Sequence, residues 1–193
     1  MKDILNPSDP RVIRTRNLIV DAFAYLLKIK DFNSITINDI TNKATINRTT
    51  FYAHFPDKYA LIDGYLSNSF IEFVYRRVES NATLNEETIK NIVISLCEFH
   101  EASNKRCMKS YDSISPHLEK NTKIQLENFL SQLLTKSCTE SARRSLDLAI
   151  TMLTWSIYGV TYRWNMDGRI ESPQVLAEKI LPMLKGYLEH KIN

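Results

Sequence analysis

Residues 35–61, ITINDITNKATINRTTFYAHFPDKYAL, decide the fold of this chain. The segment from Thr36 to Asp39 has the spacing of a capping box, a pattern that starts a helix. A second start signal follows at Asn47, a residue type that favours the N-cap position. Pro56 and Asp57 then end one helix and start another. The segment therefore predicts two short helices separated by a short turn, with a third helix behind them.

Two short helices joined in this way describe a helix-turn-helix, in which the second helix enters the major groove of DNA. Here the second helix is predicted from Arg48 to about His54, after a turn that follows Ala44. Arginine pairs with guanine, asparagine pairs with adenine, and threonine contacts a base through its hydroxyl or through its methyl against thymine. The residues that start the second helix and have such side chains are Asn47, Arg48, Thr49 and Thr50.

Apolar residues recur at helical spacing along the rest of the chain, and no segment of useful length alternates as a strand does. The sequence therefore predicts an all-α fold of about nine helices: an N-terminal three-helix head with the helix-turn-helix, followed by a C-terminal helical bundle. Residues 103–115 are ambiguous, with a short helix around Cys107–Tyr111 as one interpretation. The other predicted helices run from Arg11 to about Lys30, Asp57 to about Val78, Glu86 to about Ala102, Pro116 to about Lys136, Ser141 to about Asn165 and Pro173 to His190.

These patterns divide the chain into three predicted parts. Residues 1–10, with prolines at positions 7 and 10, are predicted to be a flexible arm. Residues 11–66 are predicted to form a DNA-binding domain. Residues 67–193 are predicted to form a helical domain for ligand binding and dimerisation.

The composition excludes several classes of protein. The chain has only four glycines and none of them cluster, which excludes a Rossmann fingerprint and a P-loop. A net charge of +3 means that affinity for DNA must come from local charge. Three cysteines without a CxxC motif are typical of free thiols in a reducing cytosol. The N-terminus has no apolar signal segment, and residues 146–164 contain charges that favour a buried helix over a membrane span. A cytoplasmic protein without membrane attachment is therefore expected.

The segment that decides the fold resembles the DNA-binding head of the tetracycline-repressor (TetR) family. The resemblance rests on Ile35–Ile40, on Ala44–Asn47, and on Thr50–Lys58 with Leu61. It implies a homodimer that binds a double-stranded DNA operator, with helices at about 141–166 and 173–191 forming the dimer interface. It also implies a small-molecule effector bound in the bundle, and no cofactor. The sequence departs from the family pattern at two positions, Asp31 and Thr45, where the family usually has glycine.

The resemblance also implies which residues contact DNA. The entry to the first helix is placed near the flanking DNA backbone, and the N-cap hydroxyl of Thr36 and the hydroxyl of Tyr52 are placed near phosphates. Lys58 stands in the first turn of a helix, where its charge opposes the helix dipole, and an external phosphate would explain a cation there. The DNA contacts predicted in this way are Arg14, Arg16, Thr36, Thr45, Asn47, Arg48, Thr49, Thr50, Tyr52, His54 and Lys58.

The bundle contains aromatic residues that are candidates for an effector pocket, with ordinary core packing as the alternative. The helix at about 141–166 has more large apolar residues than one buried face needs, so part of its surface is predicted to contact a second chain. Cys97 and His100 have the spacing of two metal ligands on one helix, but further ligands are not evident, and no metal site is predicted. The pocket candidates are Phe99, Tyr111, Phe129, Trp155 and Tyr158. The interface candidates are Ile150, Leu153, Trp155, Ile157, Tyr158, Tyr162 and Trp164.

The function predicted from these observations is a sequence-specific transcriptional repressor that a small effector releases from DNA. Two alternatives remain open. One is a TetR-like regulator that needs no inducer and acts through a protein partner. The other is an all-α enzyme, although the sequence contains no nucleophile elbow, no HExxH and no acidic metal motif, so the chain is predicted not to be an enzyme.

Overall fold

The computed structural model describes residues 6, 8–67, 69–79, 81–107, 109–134 and 140–189, and the side chains of 140–145 and 185–189 lie outside this description. Within these ranges the chain is helical and contains no strand, which confirms the all-α prediction. The predicted arm at 1–10 falls largely outside the described residues, as does Cys138. The described residues divide into two compact units.

The first unit, called the head unit here, consists of residues up to Leu66 together with Ser103–Leu118. Its helices are close to the predicted ones, although the first helix begins at Pro10, within the predicted arm. The elements of the N-terminal part are α1 (Pro10–Ile29), a 3-10 turn (Phe32–Ser34), α2 (Ile37–Ala44), α3 (Arg48–His54) and α4 (Lys58–Ser67).

Short polar side chains start the helices of the head unit. The Asp9 carboxylate accepts a hydrogen bond from the Arg11 N–H at 2.8 Å. The Asp57 carboxylate accepts from the N–H groups of Tyr59 and Ala60 at 2.9 and 2.7 Å. Each of these bonds satisfies a backbone donor that has no partner within its own helix, so the helix boundaries follow from local sequence.

The core of the head unit is built on aromatic rings. Phe23 of α1 contacts Phe32 of the 3-10 turn edge to face, with 6.2 Å between ring centroids. Phe51 of α3 is fully buried and contacts Phe55 at 6.0 Å. The first contact joins α1 to the 3-10 turn, and the burial of Phe51 leaves the opposite face of α3 outward.

Residues Ser103–Leu118 belong to the head unit, whereas the sequence-based domain division had placed them with the bundle. The Ser110 hydroxyl donates to the carbonyl oxygen of Lys30 at 2.6 Å. His117 stacks on Tyr59 with 5.8 Å between centroids, and its Nδ1 lies 2.9 Å from Asp63 Oδ1. These contacts between distant segments are not encoded in any local pattern.

The second unit, called the bundle unit here, consists of Ser67–Ala102 and the residues from Glu119 onward. α6 and α7 each have residues in both units. The helices of the C-terminal part are α5 (Ser69–Tyr75), α6 (Glu86–Arg106), α7 (Tyr111–Leu134), α8 (Glu140–Met166) and α9 (Pro173–Glu189).

One interpretation and one prediction about residues 103–118 differ from the structure. The described residues between α6, which continues to Arg106, and α7, which begins at Tyr111, form no separate helix. The predicted start of α7 at Pro116 is wrong, since Pro116 lies inside the helix. The Ile114 N–H donates to the Ser110 carbonyl, which starts α7 one turn before the proline. Pro116 lies in the second turn of α7, where its missing N–H removes one backbone hydrogen bond and its ring crowds the Asp112 carbonyl, and the helix forms in spite of this cost.

α6 packs through a fully buried face that the sequence predicted correctly. Ile89, Ile92, Val93 and Leu96 have no exposed surface, and Phe99 is almost completely buried. Ion pairs such as Arg77 with Glu98 lie at the partly exposed rim of the bundle unit. Burial of apolar side chains on α6 therefore supplies most of the stabilisation, and the exposed ion pairs add little.

The interpretation of these residues as a half-buried Cys97 beside a surface His100 is wrong, because both side chains are fully buried. Burial raises the pKa of the Cys97 thiol to about 12 and lowers the pKa of His100 to about 4. Cys107 is also buried, and its pKa is raised to about 11. The two described thiols are therefore protonated near neutral pH, which disfavours reactivity. No cluster of three or more metal-ligating side chains occurs in the described ranges.

His100 makes stability sensitive to mild acid. Its pKa is lower in the folded state than the usual 6.5, so protonation favours the unfolded state, and stability falls as the pH drops from about 6.5 to about 4. We expect a loss on the order of 3 kcal/mol across this window, from the difference in pKa. Urea denaturation at a series of pH values measures it. The variant His100→Leu should flatten the profile in this window, and an equally steep profile in the variant would contradict the assignment.

Candidate nucleic-acid interface

The turn of the helix-turn-helix consists of Thr45, Ile46 and Asn47, between α2 and α3. Thr45 has φ 57° and ψ 45°, in the left-handed region. Its N–H donates to the Asn42 carbonyl at 3.3 Å, and the Ile46 N–H donates to the Thr41 carbonyl at 3.0 Å. These two bonds form a Schellman motif, the usual way to end a helix with a left-handed residue. The turn is therefore built in the usual way, with threonine in the conformation that glycine normally takes.

At Asp31, the other departure from the family pattern, the backbone conformation does not require glycine. Its φ of −64° and ψ of 139° are those of extended backbone. Its carboxylate accepts from the Asn33 N–H at 2.9 Å and starts the 3-10 turn. Aspartate at this position thus has a capping role that glycine does not supply.

Asn47 is the N-cap of α3. Its Oδ1 accepts a hydrogen bond from the Thr50 N–H at 2.7 Å. A bidentate contact with adenine needs both the amide oxygen and the amide nitrogen. In this geometry the Thr50 N–H uses one of the two lone pairs of the oxygen, so the adenine contact, which remains a prediction, would share Oδ1 with the cap.

The first turn of α3 presents exposed side chains. Arg48 and Thr49 are exposed, and neither has a hydrogen bond or ion pair to another residue in the described part of the chain. Tyr52, one turn further on, is 45% exposed, and its ring packs edge to face on Phe51. The structure therefore leaves the Arg48 guanidinium and the Tyr52 hydroxyl available for an external partner.

The hydroxyl of Thr36 is engaged in the capping box at the start of α2. It donates to the Asp39 carboxylate at 2.8 Å and accepts from the Asp39 N–H at 3.1 Å. Hydrogen bonds from Lys30 and Thr36 hold the pKa of Asp39 down at about 2. A carboxylate thus already lies at this helix start, where the predicted phosphate contact of Thr36 would add a second anion.

Lys58 has an internal partner set that the sequence did not reveal. Its ammonium donates to the carbonyl oxygens of Phe32, Asn33 and Ile35 at 3.0, 3.1 and 3.0 Å. It also lies 4.7 Å from the centroid of the Phe32 ring. Desolvation lowers its pKa. The argument that an external anion must explain this cation does not hold, since the three carbonyls explain it, and a phosphate contact would need the ammonium to leave one of them.

The two arginines of α1 that are predicted to contact DNA differ in their surroundings. Arg14 is exposed, without a hydrogen bond or ion pair among the described residues. The guanidinium of Arg16 lies over the Phe55 ring, 4.6 Å from its centroid. His54 is partly buried, and desolvation together with the charge of Arg16 lowers its pKa. His54 is therefore neutral near pH 7, so any contact with a phosphate would be a neutral hydrogen bond.

One side of the turn forms an open groove whose lining residues are all uncharged. Asn42, an exposed residue of α2 that the sequence reasoning missed, is part of it. Its place in the last turn of α2, three residues before Thr45, was the available signal. The groove is lined by Thr41, Asn42, Thr45, Ile46, Asn47 and Thr50.

The five pocket candidates are not brought together. Tyr111 belongs to the head unit, whereas the other four belong to the bundle unit. Trp155 is 60% exposed, and the Lys123 ammonium lies 3.4 Å from the centroid of its ring. Phe99 and Tyr158 are buried and both contact His100, at 6.1 and 5.5 Å between centroids. Phe129 is buried against Tyr75. Phe99 and Tyr158 thus share His100 as a neighbour, and Trp155 and Tyr158 share Lys123, whose ammonium lies 5.5 Å from the centroid of the Tyr158 ring.

Two family models match the chain. Residues 19–65 match the model for bacterial regulatory proteins of the tetR family. Residues 87–186, more than half of the chain, match the model for a transcriptional regulator C-terminal region of TetR proteins. The chain belongs to the TetR family. This confirms the resemblance that residues 35–61 indicated.

Relatives and solved structures agree with this membership. The chain is 27% identical over 180 residues to an uncharacterised HTH-type transcriptional regulator, YxbF, of Bacillus subtilis (strain 168), covering 91% of the chain and 46% of YxbF. The chain thus spans about half the length of this curated relative. A TetR regulator from Streptococcus agalactiae 2603V has TM-score 0.62 and 20% identity, with 91% of this chain and 96% of that one covered. The dihydroxyacetone kinase operon activator DhaS has TM-score 0.58 and 21% identity, with 92% and 98% covered. These TetR structures share the fold.

The internal role of Lys58 predicts the effect of its removal. We expect Lys58→Met to lower the free energy of unfolding by about 2 kcal/mol, because a charged donor is lost and the carbonyls of Asn33 and Ile35 lose the hydrogen bond that they accept from it. Urea denaturation measures this loss. The salt dependence of DNA binding should keep its slope. A slope reduced by about one, with unchanged stability, would instead assign Lys58 to a phosphate.

Proposed function

We propose that this TetR-family chain is a cytoplasmic transcriptional repressor that binds a double-stranded DNA operator as a homodimer. A small effector bound in the bundle unit releases it. The observation that carries the DNA-binding part is the first turn of α3, where Arg48 and Thr49 are exposed beside a left-handed turn. In a helix-turn-helix this turn of the second helix contacts base edges. The family description favours a regulator over the all-α enzyme that the sequence left open.

The residues proposed to contact DNA have different tasks. Arg48 and Thr49 are the base readers, since their side chains have no internal partner in the described ranges. Arg14 and Tyr52 are exposed and suit phosphate contacts. The other predicted contacts stay in the proposal as secondary ones: Arg16, Thr36, Asn47 and His54 have competing internal bonds or contacts, and Thr50 is partly buried. Lys58 is proposed to serve the fold, since three carbonyls hold its ammonium. Thr45 is treated separately below.

The proposed dimer interface differs from the one that the apolar composition of α8 suggested. Ile150, Leu153, Ile157, Tyr158 and Trp164 are buried within the chain. The exposed apolar residues instead form a stripe at a heptad-like spacing on α8, with Gly159 open to solvent in its middle. Exposed apolar residues occur on α9 as well. The stripe residues are Leu148, Met152, Trp155 and Met166 on α8, and the exposed residues of α9 are Val175 and Met183.

A surface of this kind supports contact with a second copy of the chain, since soluble proteins seldom expose contiguous apolar residues to water. In a two-fold dimer the stripe of each protomer contacts the same surface of the other. Two recognition helices then reach adjacent major grooves when they are roughly 34–36 Å apart. A lone recognition helix reads too few base pairs to select an operator.

A buried polar position supports the effector part of the proposal. Neither ring nitrogen of His100 has a hydrogen-bond partner in the described part of the chain, and the same holds for the hydroxyl of Thr154 on α8. Buried polar groups without partners are costly, and a bound molecule or water would satisfy them. Effector binding that favours one arrangement of the head units would couple to DNA affinity, and this coupling is reciprocal.

None of the helices in the described ranges has the length and apolar character that a bilayer span requires.

Selection of operators from random DNA tests the base-reading role of Arg48. We expect Arg48→Ala to lose sequence preference at one position in each half-site, because a direct arginine–guanine contact contributes roughly 1–3 kcal/mol of discrimination. The matched control is Arg14→Ala, which should weaken binding to all sequences alike and keep the consensus. An identical consensus from wild type and Arg48→Ala would show that Arg48 reads no base.

Sedimentation equilibrium tests the proposed interface. We expect the wild type to be a dimer at micromolar concentration and Met152→Asp to be a monomer, because a charge in the apolar stripe would lose its hydration on association. The control is Gln132→Asp, a substitution on the exposed side of α7 that should leave the dimer intact. A wild type that stays monomeric both free and on DNA would contradict the homodimer.

A further inference from the structure

Thr45 holds a backbone conformation that its side chain disfavours. Its φ is 57°. Among the described residues, the only other non-glycine residue with a positive φ is Arg169, at 59°. A β-branched residue in the left-handed region is a strong outlier, because its Cβ substituents crowd the backbone. Such strain persists when another requirement of the protein keeps the residue in place.

No interaction among the described residues compensates for the strain at Thr45. The side chain is exposed, and its hydroxyl has no hydrogen-bond partner within the described residues. The two hydrogen bonds of the Schellman motif use only backbone atoms, so glycine or asparagine would form them equally well. Packing and hydrogen bonding within the head unit therefore do not explain threonine at this position.

The surroundings of Thr45 identify the kind of partner. Its side chain lines the uncharged groove together with Asn42, Asn47 and Thr50, directly before the recognition helix α3. A groove without a cation does not attract a phosphate in particular, whereas polar and methyl groups match the edge of a base. Threonine offers a methyl group, and thymine is the base that presents a methyl in the major groove.

We propose that Thr45 is a specificity-determining residue whose methyl group selects a thymine in each half-site of the operator. This inference rests on the proposed DNA-binding function and assigns it a further reader outside α3. The strain in the turn is then kept because the side chain improves discrimination between operators at the expense of stability in the free protein.

The test compares stability with operator choice in the same variants. We expect Thr45→Gly to raise the melting temperature by about 2–4 °C, through relief of the strain. Operators selected from random DNA by this variant should lose the preference for thymine at one position. Thr45→Asn, which tolerates the left-handed conformation and has no methyl group, should lose the same preference. The matched control is Arg169→Gly, which relieves a similar conformation and should keep the wild-type consensus.

A second measurement isolates the methyl contact. Replacing the selected thymine by uracil removes only the base methyl. We expect this change to weaken binding of the wild type about threefold to fivefold and to leave binding of Thr45→Gly unchanged. If wild type selects an operator and Thr45→Gly selects the same one with equal affinity, the role of Thr45 is overturned while the DNA-binding function stands. If wild type enriches no sequence, the proposed function itself fails, and the role of Thr45 fails with it.

Discussion

The contact between the Lys58 ammonium and three backbone carbonyls is the constraint on which the head unit depends. In the short 3-10 turn the Phe32 carbonyl accepts the Ile35 N–H, whereas the turn is too short to supply donors for the carbonyls of Asn33 and Ile35. One cation from the start of α4 donates to all three carbonyls and lies against the ring of Phe32. This arrangement joins the turn before α2 to the helix after α3. The helix-turn-helix is therefore held at both of its ends by one side chain.

The candidate interface consists of side chains near the helix starts that take no part in capping. Thr36, Asn47 and Asp57 each donate or accept at a helix start, so their polar atoms serve the fold. Arg48 and Thr49, between two of these caps, have no such task. A capped scaffold thus presents a few exposed side chains whose polar groups are not used by the fold.

Local patterns were sufficient to predict the helix-turn-helix. The long-range contacts could not be predicted from them. The capping box at Thr36 and the N-cap at Asn47 gave the bounds of α2 and α3 because these signals act within four residues. The partners of Lys58 lie more than twenty residues away, and no pattern in the sequence indicates them. The exposed stripe on α8 was missed for a related reason, since composition gives the number of apolar residues and only packing decides which of them are buried. Thr45 stands where the family usually has glycine, and the backbone still takes the left-handed conformation there.

The docking of Ser103–Leu118 within the head unit has a consequence for modular evolution. Ser110 and His117 contact residues of the N-terminal segment, so the part that reads DNA is assembled from two stretches of sequence separated by 36 residues of the bundle unit. A DNA-reading module cut at residue 66 would leave Lys30 and Asp63 without these contacts. Recombination that exchanges operator specificity between relatives must therefore transfer both stretches together. The head unit cannot be exchanged as one continuous segment.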